Sequence, residues 1–132
     1  MSQERKAHNA SSAPPAVGPY SHAVSANGFV FASGQLGLAP DGSGLVDGGV
    51  EAQARQALTN LAAVAQGAGC ALADAVKVNV YLTDMGDFGA INPIYAEFFN
   101  GDEPPARAAV AVAALPLGGV FEVDAVFAVP QL

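Results

Sequence analysis

A single arginine interrupts the most apolar part of the chain, and this restricts the folds that the chain can adopt. Arg107 follows Pro104-Pro105-Ala106 and precedes an uninterrupted apolar run, residues 108–115. The run predicts a strand. A guanidinium that enters a buried strand needs an anionic partner, because its unpaired desolvation costs several kcal/mol. The planar fork of arginine suits a carboxylate held by two parallel hydrogen bonds. That carboxylate belongs either to the protein or to a ligand.

The composition predicts one domain with an apolar surface. The chain has 132 residues, of which 52% are hydrophobic and 13% charged, so it is too apolar for a disordered chain. Few charges remain to cover a monomer, and we therefore expect an apolar face to be buried against another subunit. The net charge of −7 argues against nucleic acid as a partner, since no basic cluster is available to neutralise phosphates.

The cysteine count and the N-terminus favour a reduced, cytoplasmic protein. Cys70 is the only cysteine, so no intrachain disulfide can form. No apolar run reaches the roughly 18 residues that a membrane span needs, which argues against a membrane partner. The polar N-terminus has no segment of signal-peptide type. We expect residues 1–15 to form a flexible tail and residues 16–132 to form one domain.

Periodicity predicts the order β-β-α-β-α-β-β. Asn27-Gly28 joins two strand-like runs and predicts a hairpin, because both turn positions need positive φ. Residues 51–66 follow helical spacing, with Glu51 and Arg55 as an i,i+4 pair and Ala54, Leu58, Leu61, Ala62 and Ala65 on the buried side.

The second half of the chain continues the pattern. Residues 75–83 alternate as a half-buried strand, with Val76, Val78, Val80 and Leu82 facing inward. Asp84 can cap a second helix whose buried stripe is Phe88, Ile91, Tyr95 and Phe98. Two final strands are expected at 106–115 and 120–129. The class is therefore α+β, with a mixed sheet and both helices packed on one face.

Glu122 is the second unusual residue. It alternates with apolar residues in the last strand and shares a face with Asp124. A desolvated carboxyl has its pKa raised toward the range useful for acid–base chemistry. The alternative is that both carboxylates lie on the solvated face of an antiparallel strand.

A tight hairpin between the last two strands would separate Arg107 from Glu122. The two side chains would lie on the same face of the sheet. They would be separated by six positions along the strands, which is roughly 20 Å at about 3.3 Å per residue. A site containing both then needs either a neighbouring subunit or a different strand connection.

The other candidates for chemistry are weak. Of the two histidines, His8 lies in the expected tail, so no cluster with His22 predicts a metal site. Ser33 precedes Gly34 without a nearby base, and Cys70 has the context of a buried structural thiol.

Several segments together resemble the reactive intermediate deaminase (Rid) family, also called the YjgF family. The resemblance covers the chain from about Pro15 to Val129. It is carried by five segments: Gly18-Pro19-Tyr20-Ser21, Phe31-Ala32-Ser33-Gly34-Gln35, residues 79–84 (NVYLTD), residues 92–99 (NPIYAEFF), and residues 105–116 (PARAAVAVAALP) with 120–125 (VFEVDA).

The resemblance implies a chorismate-mutase-like fold assembled as a homotrimer, with sites in clefts between subunits. The implied activity is hydrolysis of 2-imino acids, such as 2-iminopropanoate and 2-iminobutanoate, to 2-keto acids and ammonia, without a cofactor or metal. Arg107 would hold the substrate carboxylate and Glu122 the attacking water. The Ala109 backbone would bond the nitrogen end of the substrate, and the cleft would be lined by Tyr20, Ser33, Gly34 and Asn92.

Three alternatives remain open at this point. The family commonly has Ser and Cys after the arginine, where this chain has Ala108 and Ala109, and that change bears on substrate range. The protein could be a non-catalytic sensor of small 2-keto acids, which needs Arg107 but not Glu122. Arg107 could also form a structural ion pair with Glu122, Asp124 or a neighbouring chain.

Overall fold

The computed structural model describes residues 4–130, in which one face of a six-stranded mixed sheet carries two helices. The strand order across the sheet is β1-β2-β3-β6-β4-β5. The expected fold class is confirmed. The elements are β1 (Lys6–His8), β2 (Ala23–Ala26), β3 (Phe29–Leu36), α1 (Gly49–Gly67), β4 (Ala75–Leu82), α2 (Phe88–Phe98), β5 (Ala106–Ala111) and β6 (Phe121–Ala128), with short 3-10 turns at Leu72–Asp74, Met85–Asp87 and Pro116–Gly118.

The Asn27-Gly28 hairpin forms as the sequence predicts. Both residues have positive φ, 54° and 83°, and they join β2 to β3 in an antiparallel pair. Gly28 accepts such a φ without a steric penalty, and Asn is among the residues that tolerate it best.

Helix α1 packs the predicted apolar side into the core. Ala54, Leu58, Leu61 and Ala65 are fully buried, whereas Ala62 is half-buried. The hydrogen-bonding partner of the Arg55 side chain is Glu97 on α2 and not the expected Glu51. Both terminal nitrogens of Arg55 donate to the Glu97 carboxylate, at 2.7 and 3.1 Å. This exposed pair ties the two helices together on the solvent side.

Helix α2 begins at Phe88, one turn after Asp84, the residue that the sequence predicted as its cap. Asp84 accepts a hydrogen bond from Gly86 N and so caps the 3-10 turn Met85–Asp87 that precedes the helix. Ile91 and Tyr95 are buried as expected, and Phe88 and Phe98 are half-buried. Pro93 lies inside the helix.

The expected hairpin between the last two strands is wrong. β5 pairs with β4 in parallel, and β6 lies between β3 and β4, antiparallel to both. The unit β4-α2-β5 is a crossover, which places a parallel strand on the adjacent edge. In this central position β6 buries three large inward side chains completely: Phe121, Val123 and Phe127.

One inward position of β4 was also predicted wrongly. Val78, Val80 and Leu82 are fully buried, but the side chain of Val76 is 43% exposed. The register against β6 shifts between Ala75 and Lys77, and this bulge turns Ala75 inward in place of Val76.

The structure differs from the expected flexible tail over much of that segment. β1 pairs with β2 as the edge strand, and Ala10, Ala13 and Pro14 are buried. Short apolar side chains allow this segment to pack closely: a Cβ at Gly67 would lie 2.9 Å from the Ala10 Cβ. Residues 1–3 of the expected tail lie outside the described residues.

Neither helix within residues 4–130 is long and apolar enough to cross a membrane. The same residues contain no group of three or more His, Cys, Asp or Glu that could hold a metal ion.

Candidate functional site

Arg107 lies on an aromatic platform formed by α2. Its guanidinium carbon is 4.7 Å from the ring centre of Tyr95 and 5.1 Å from that of Phe88. Nη1 donates a 2.7 Å hydrogen bond to the Asn92 side-chain oxygen. Residues 88, 92 and 95 recur at helical spacing, so one face of α2 supplies all three contacts. The helix thus orients the guanidinium without neutralising it.

No carboxylate of the protein pairs with Arg107 in the part of the chain that is described. The salt bridge found among residues 4–130 joins Arg55 and Glu97. The hypothesis of an ion pair between Arg107 and Glu122 or Asp124 is therefore wrong within one chain. The Arg107 strand is also less buried than its apolar sequence predicted: β5 is an edge strand whose residues are exposed or half-buried.

Ala109 lies on the same side of β5 as Arg107. Arg107 is paired with Val78 and Ala109 with Val80, both of which point into the core beneath the helices. We refer to Phe88, Asn92, Tyr95, Arg107 and Ala109 as the arginine half-site.

Four other candidate residues line a cavity of about 340 Å³ elsewhere on the chain. We refer to Tyr20, Ser33, Gly34 and Glu122 as the glutamate half-site. The cavity wall is completed by the N-terminal segment, through Pro14, Pro15 and Val17, and by His22. The Ser33 hydroxyl donates to the Ser21 carbonyl at 2.7 Å.

Gly34 allows the Glu122 carboxylate to lie directly against the backbone of β3. A Cβ at position 34 would overlap a carboxylate oxygen and lie 2.9 Å from the carboxylate carbon. Real Cβ atoms do not approach this closely, so any side chain here would displace the carboxylate. This is the steric reason for glycine at a position where the sequence reasoning had only the family motif.

Burial raises the pKa of Glu122 above its ordinary value of 4.5, and the neighbouring charge of Asp124 adds to the shift. Asp124 accepts hydrogen bonds from the Asn79 amide at 2.8 Å and from the Tyr81 hydroxyl at 2.9 Å. The expected raised pKa of Glu122 is confirmed in direction, and the shared face of Glu122 and Asp124 is confirmed by their common burial pattern.

The two half-sites lie on opposite faces of the sheet. The core-facing residues of β6 are Phe121, Val123 and Ala125, so Glu122 projects from the face that the helices leave uncovered. Arg107 projects from the helix face toward α2. The expectation that Arg107 and Glu122 share a face is therefore wrong, because it depended on the incorrect hairpin register.

Known proteins resemble this chain over nearly its whole length. A family model described as Endoribonuclease L-PSP matches residues 10–129. The chain belongs to the Rid family. A mouse relative of this Rid protein, named 2-iminobutanoate/2-iminopropanoate deaminase, is 48% identical over 92% of this chain and 90% of its own length.

Two solved structures share the fold of this Rid protein. RidA from the Antarctic bacterium Psychrobacter is 43% identical, with a TM-score of 0.88 over 93% of this chain and 98% of its own. E. coli TdcF with bound serine is 37% identical, with a TM-score of 0.87 over 96% and 99% of the two chains. The sheet and helices that hold the two half-sites are thus those of the family.

Sequence reasoning missed two contacts in the candidate site of this Rid protein. Phe88 and Tyr95 were assigned only to the buried stripe of α2, although both rings contact the Arg107 guanidinium. The available signal was the helical spacing of two aromatic residues around Asn92. The wall formed by Pro14 and Pro15 was missed as well, because the segment was taken as a tail.

Proposed function

We propose that this protein hydrolyses small 2-imino acids, such as 2-iminopropanoate and 2-iminobutanoate, to 2-keto acids and ammonia. The observation that carries the proposal is the Arg107 guanidinium, which is oriented by three side chains yet has no carboxylate partner among residues 4–130. A preorganised cation with free donors is suited to the carboxylate of a small substrate. The relatives named as 2-iminobutanoate/2-iminopropanoate deaminases support the same substrate class.

Arg107 binds the substrate in this proposal and Glu122 activates water. Asn92 uses one of the five N–H donors of the guanidinium, so donors remain for a bidentate contact with a carboxylate. The raised pKa of Glu122 makes this group a suitable proton carrier at a pH closer to neutral than an ordinary carboxyl.

The chemistry needs no cofactor or metal. A protonated imine is already an electrophile. Glu122 accepts a proton from water as the water oxygen bonds to the imine carbon. Glu122 returns that proton to the nitrogen of the resulting carbinolamine and, ionised again, accepts the hydroxyl proton as the carbon–nitrogen bond breaks, ammonia leaves and the carbonyl forms. Transfer of this last proton to ammonia or solvent restores the ionised Glu122. Holding the imine and the water about 3 Å apart supplies the rate enhancement through orientation. Ala109 contributes its backbone at the nitrogen end, and Tyr20, Ser33 and Gly34 contribute the wall near the water.

A joint site requires a second copy of the chain. One chain holds the half-sites on opposite faces of its sheet, so the arginine half-site of one subunit must meet the glutamate half-site of the next. We propose the homotrimer that the family resemblance implies. Exposed apolar side chains support subunit contacts: the exposed fractions of Phe29, Phe31 and Val110 are 42%, 51% and 47%. The proposal also includes a cytoplasmic location, as expected from the single cysteine.

The proposal does not extend to ribonuclease activity, despite the description of the family model. A chain with five basic residues and a net charge of −7 has little to neutralise an RNA backbone.

The direct test generates 2-iminopropanoate with a serine or threonine dehydratase and follows its decay with and without the protein. We expect acceleration by the wild type and a loss of about a hundredfold or more in Arg107→Ala. Arg55→Ala is the matched control, because the Arg55 guanidinium pairs with Glu97 on the helix surface. No acceleration by the wild type, or full activity in Arg107→Ala, would remove the proposal.

The second candidate is a binder of 2-keto acids without catalysis. This candidate needs Arg107 but not Glu122, and the separation of the two residues within one chain therefore favours it. Calorimetry with 2-oxobutanoate separates the two: a binder retains affinity in Glu122→Gln and shows no imine hydrolysis in the wild type.

A further inference from the structure

His22 is buried, and all of its polar groups are hydrogen-bonded. Its ring Nδ1 accepts from the Ala10 backbone N–H at 2.9 Å, and Nε2 lies 2.8 Å from the Pro14 carbonyl oxygen. Its own N–H donates to the Asn9 side-chain oxygen at 3.1 Å, and its carbonyl accepts from Ser33 N at 2.9 Å. His22 is 5% exposed.

This geometry selects one neutral tautomer of the ring. Because Ala10 supplies the hydrogen to Nδ1, that nitrogen carries none, and the ring proton is on Nε2, where it is donated to Pro14. One acceptor and one donor on opposite sides of a single ring therefore hold two points of the N-terminal segment, four residues apart.

The segment held by His22 forms one wall of the glutamate half-site cavity. Pro14, Pro15 and Val17 line the same cavity as Ser33, Gly34 and Glu122. The other contacts of the segment are of a different kind: Ala10 and Ala13 pack into the core through small side chains, Pro15 lies close to Gly42 in the neighbouring loop, and His8 is bonded to Ser25 on the edge of the sheet. The imidazole therefore joins the wall to the start of β2, while the His22 carbonyl joins β2 to Ser33.

We propose that His22 is a positioning residue for imine hydrolysis: it sets the distance between the N-terminal wall and the strand that carries Ser33 and Gly34, and thereby the width of the cavity in front of Glu122. The inference rests on the proposed function for its kinetic consequence but not for its structural one. A wider cavity holds the substrate and water less tightly, so KM should rise by a larger factor than kcat falls.

The test compares three variants. His22→Phe keeps a ring of similar size without either hydrogen bond. His22→Gln keeps one acceptor and one donor and is the rescue variant. His8→Phe is the matched control, because it removes the other histidine and its bond to Ser25 without touching the cavity. The measurements are amide hydrogen exchange of residues 9–15 and the kcat and KM for 2-iminopropanoate.

We expect the Ala10 amide to exchange about tenfold faster in His22→Phe, the scale of one lost hydrogen bond. KM should rise by about the same factor with a smaller change in kcat, His22→Gln should lie closer to the wild type, and His8→Phe should leave both unchanged. Unchanged exchange at Ala10 in His22→Phe, or an equal KM rise in His8→Phe, would overturn the inference.

Asn9→Ala and the affinity for 2-oxobutanoate supply two further tests. If His22→Phe does not fold, Asn9→Ala removes the bond to the His22 N–H without altering the core ring, and it should produce the same pattern in weaker form; wild-type exchange and KM in that variant would contradict the proposal. If the wild type does not hydrolyse imines, the proposed function fails, and hydrogen exchange together with 2-oxobutanoate affinity still decides whether His22 holds the wall.

Discussion

The side-chain oxygen of Asn92 lies 2.7 Å from Nη1 of Arg107 and is a neutral acceptor for a cation. A neutral partner orients the guanidinium but leaves its charge available to an incoming carboxylate. A carboxylate at the same position would compete with the substrate. The choice of amide over acid at position 92 is therefore central to the proposed site.

We predict that Asn92→Asp is more damaging to substrate binding than Asn92→Ala. Asn92→Ala should raise KM about tenfold, because a hydrogen bond to a charged group is lost. Asn92→Asp should raise KM further, because the new carboxylate occupies Arg107. Steady-state kinetics of imine hydrolysis at low and high salt measures both. Equal KM values for the two variants would contradict the idea that Arg107 must stay unpaired.

Gly34→Ala should disable the glutamate half-site. The added Cβ overlaps the carboxylate end of the flexible Glu122 side chain, so that carboxylate must move away from β3 while the strand can stay in place. Gly101→Ala is the control, since a Cβ there would meet nothing within 4 Å. Imine hydrolysis should fall in Gly34→Ala alone, with denaturant unfolding as the check that both variants stay folded. Wild-type activity in Gly34→Ala would show that Glu122 need not lie where it does.

The raised pKa of Glu122 predicts an acid limb in the activity profile. kcat/KM should rise with pH as Glu122 loses its proton, with a midpoint above the ordinary value of 4.5. Asp124→Asn removes the neighbouring negative charge and should move that limb to lower pH. A limb that stays in place in Asp124→Asn would mean that burial alone sets the proton affinity.

The raised pKa of Glu122 also predicts that ionisation of Glu122 destabilises the fold, whereas ionisation of a paired carboxylate stabilises it. Folding disfavours the charged form of Glu122, so its unfavourable contribution appears as pH rises through the unfolded pKa and is complete above the folded pKa. Glu122→Gln should therefore be more stable than the wild type at neutral pH, with the difference vanishing below the ordinary range of glutamate. Thermal unfolding across this range checks the sign; a variant less stable at neutral pH would contradict it.

Tyr95 should act through its ring and not through its hydroxyl. The hydroxyl is buried without a hydrogen-bond partner in the described part of the chain, whereas the ring contacts Arg107. Tyr95→Phe should keep KM and equal or exceed the wild type in thermal stability, because an unsatisfied polar group is removed. Tyr95→Leu loses the cation–π contact and should raise KM. A large KM increase in Tyr95→Phe would show that the hydroxyl has a functional partner.

Local pattern was sufficient for the helices and for most strand faces. The alternation of β6 correctly separated Glu122 and Asp124 from the buried residues, and the helical stripe correctly placed Ile91 and Tyr95 in the core. The outward orientation of Val76 was not predictable from the sequence. A bulge depends on how β4 pairs with β6, and the alternation of residues within β4 does not reveal that register.

The sequence by itself determined the types of most elements and the acidic charge, since these follow from side-chain chemistry and short-range spacing. The same reasoning singled out Arg107 and Glu122 as candidates, whereas the other five candidate residues followed from the family resemblance. Only the tertiary structure decided which strands are neighbours, because pairing is set by contacts between residues far apart in the chain. That pairing put Arg107 and Glu122 on opposite faces of one sheet. It also packed residues 10–14, which look like a tail in isolation, into a wall held by His22.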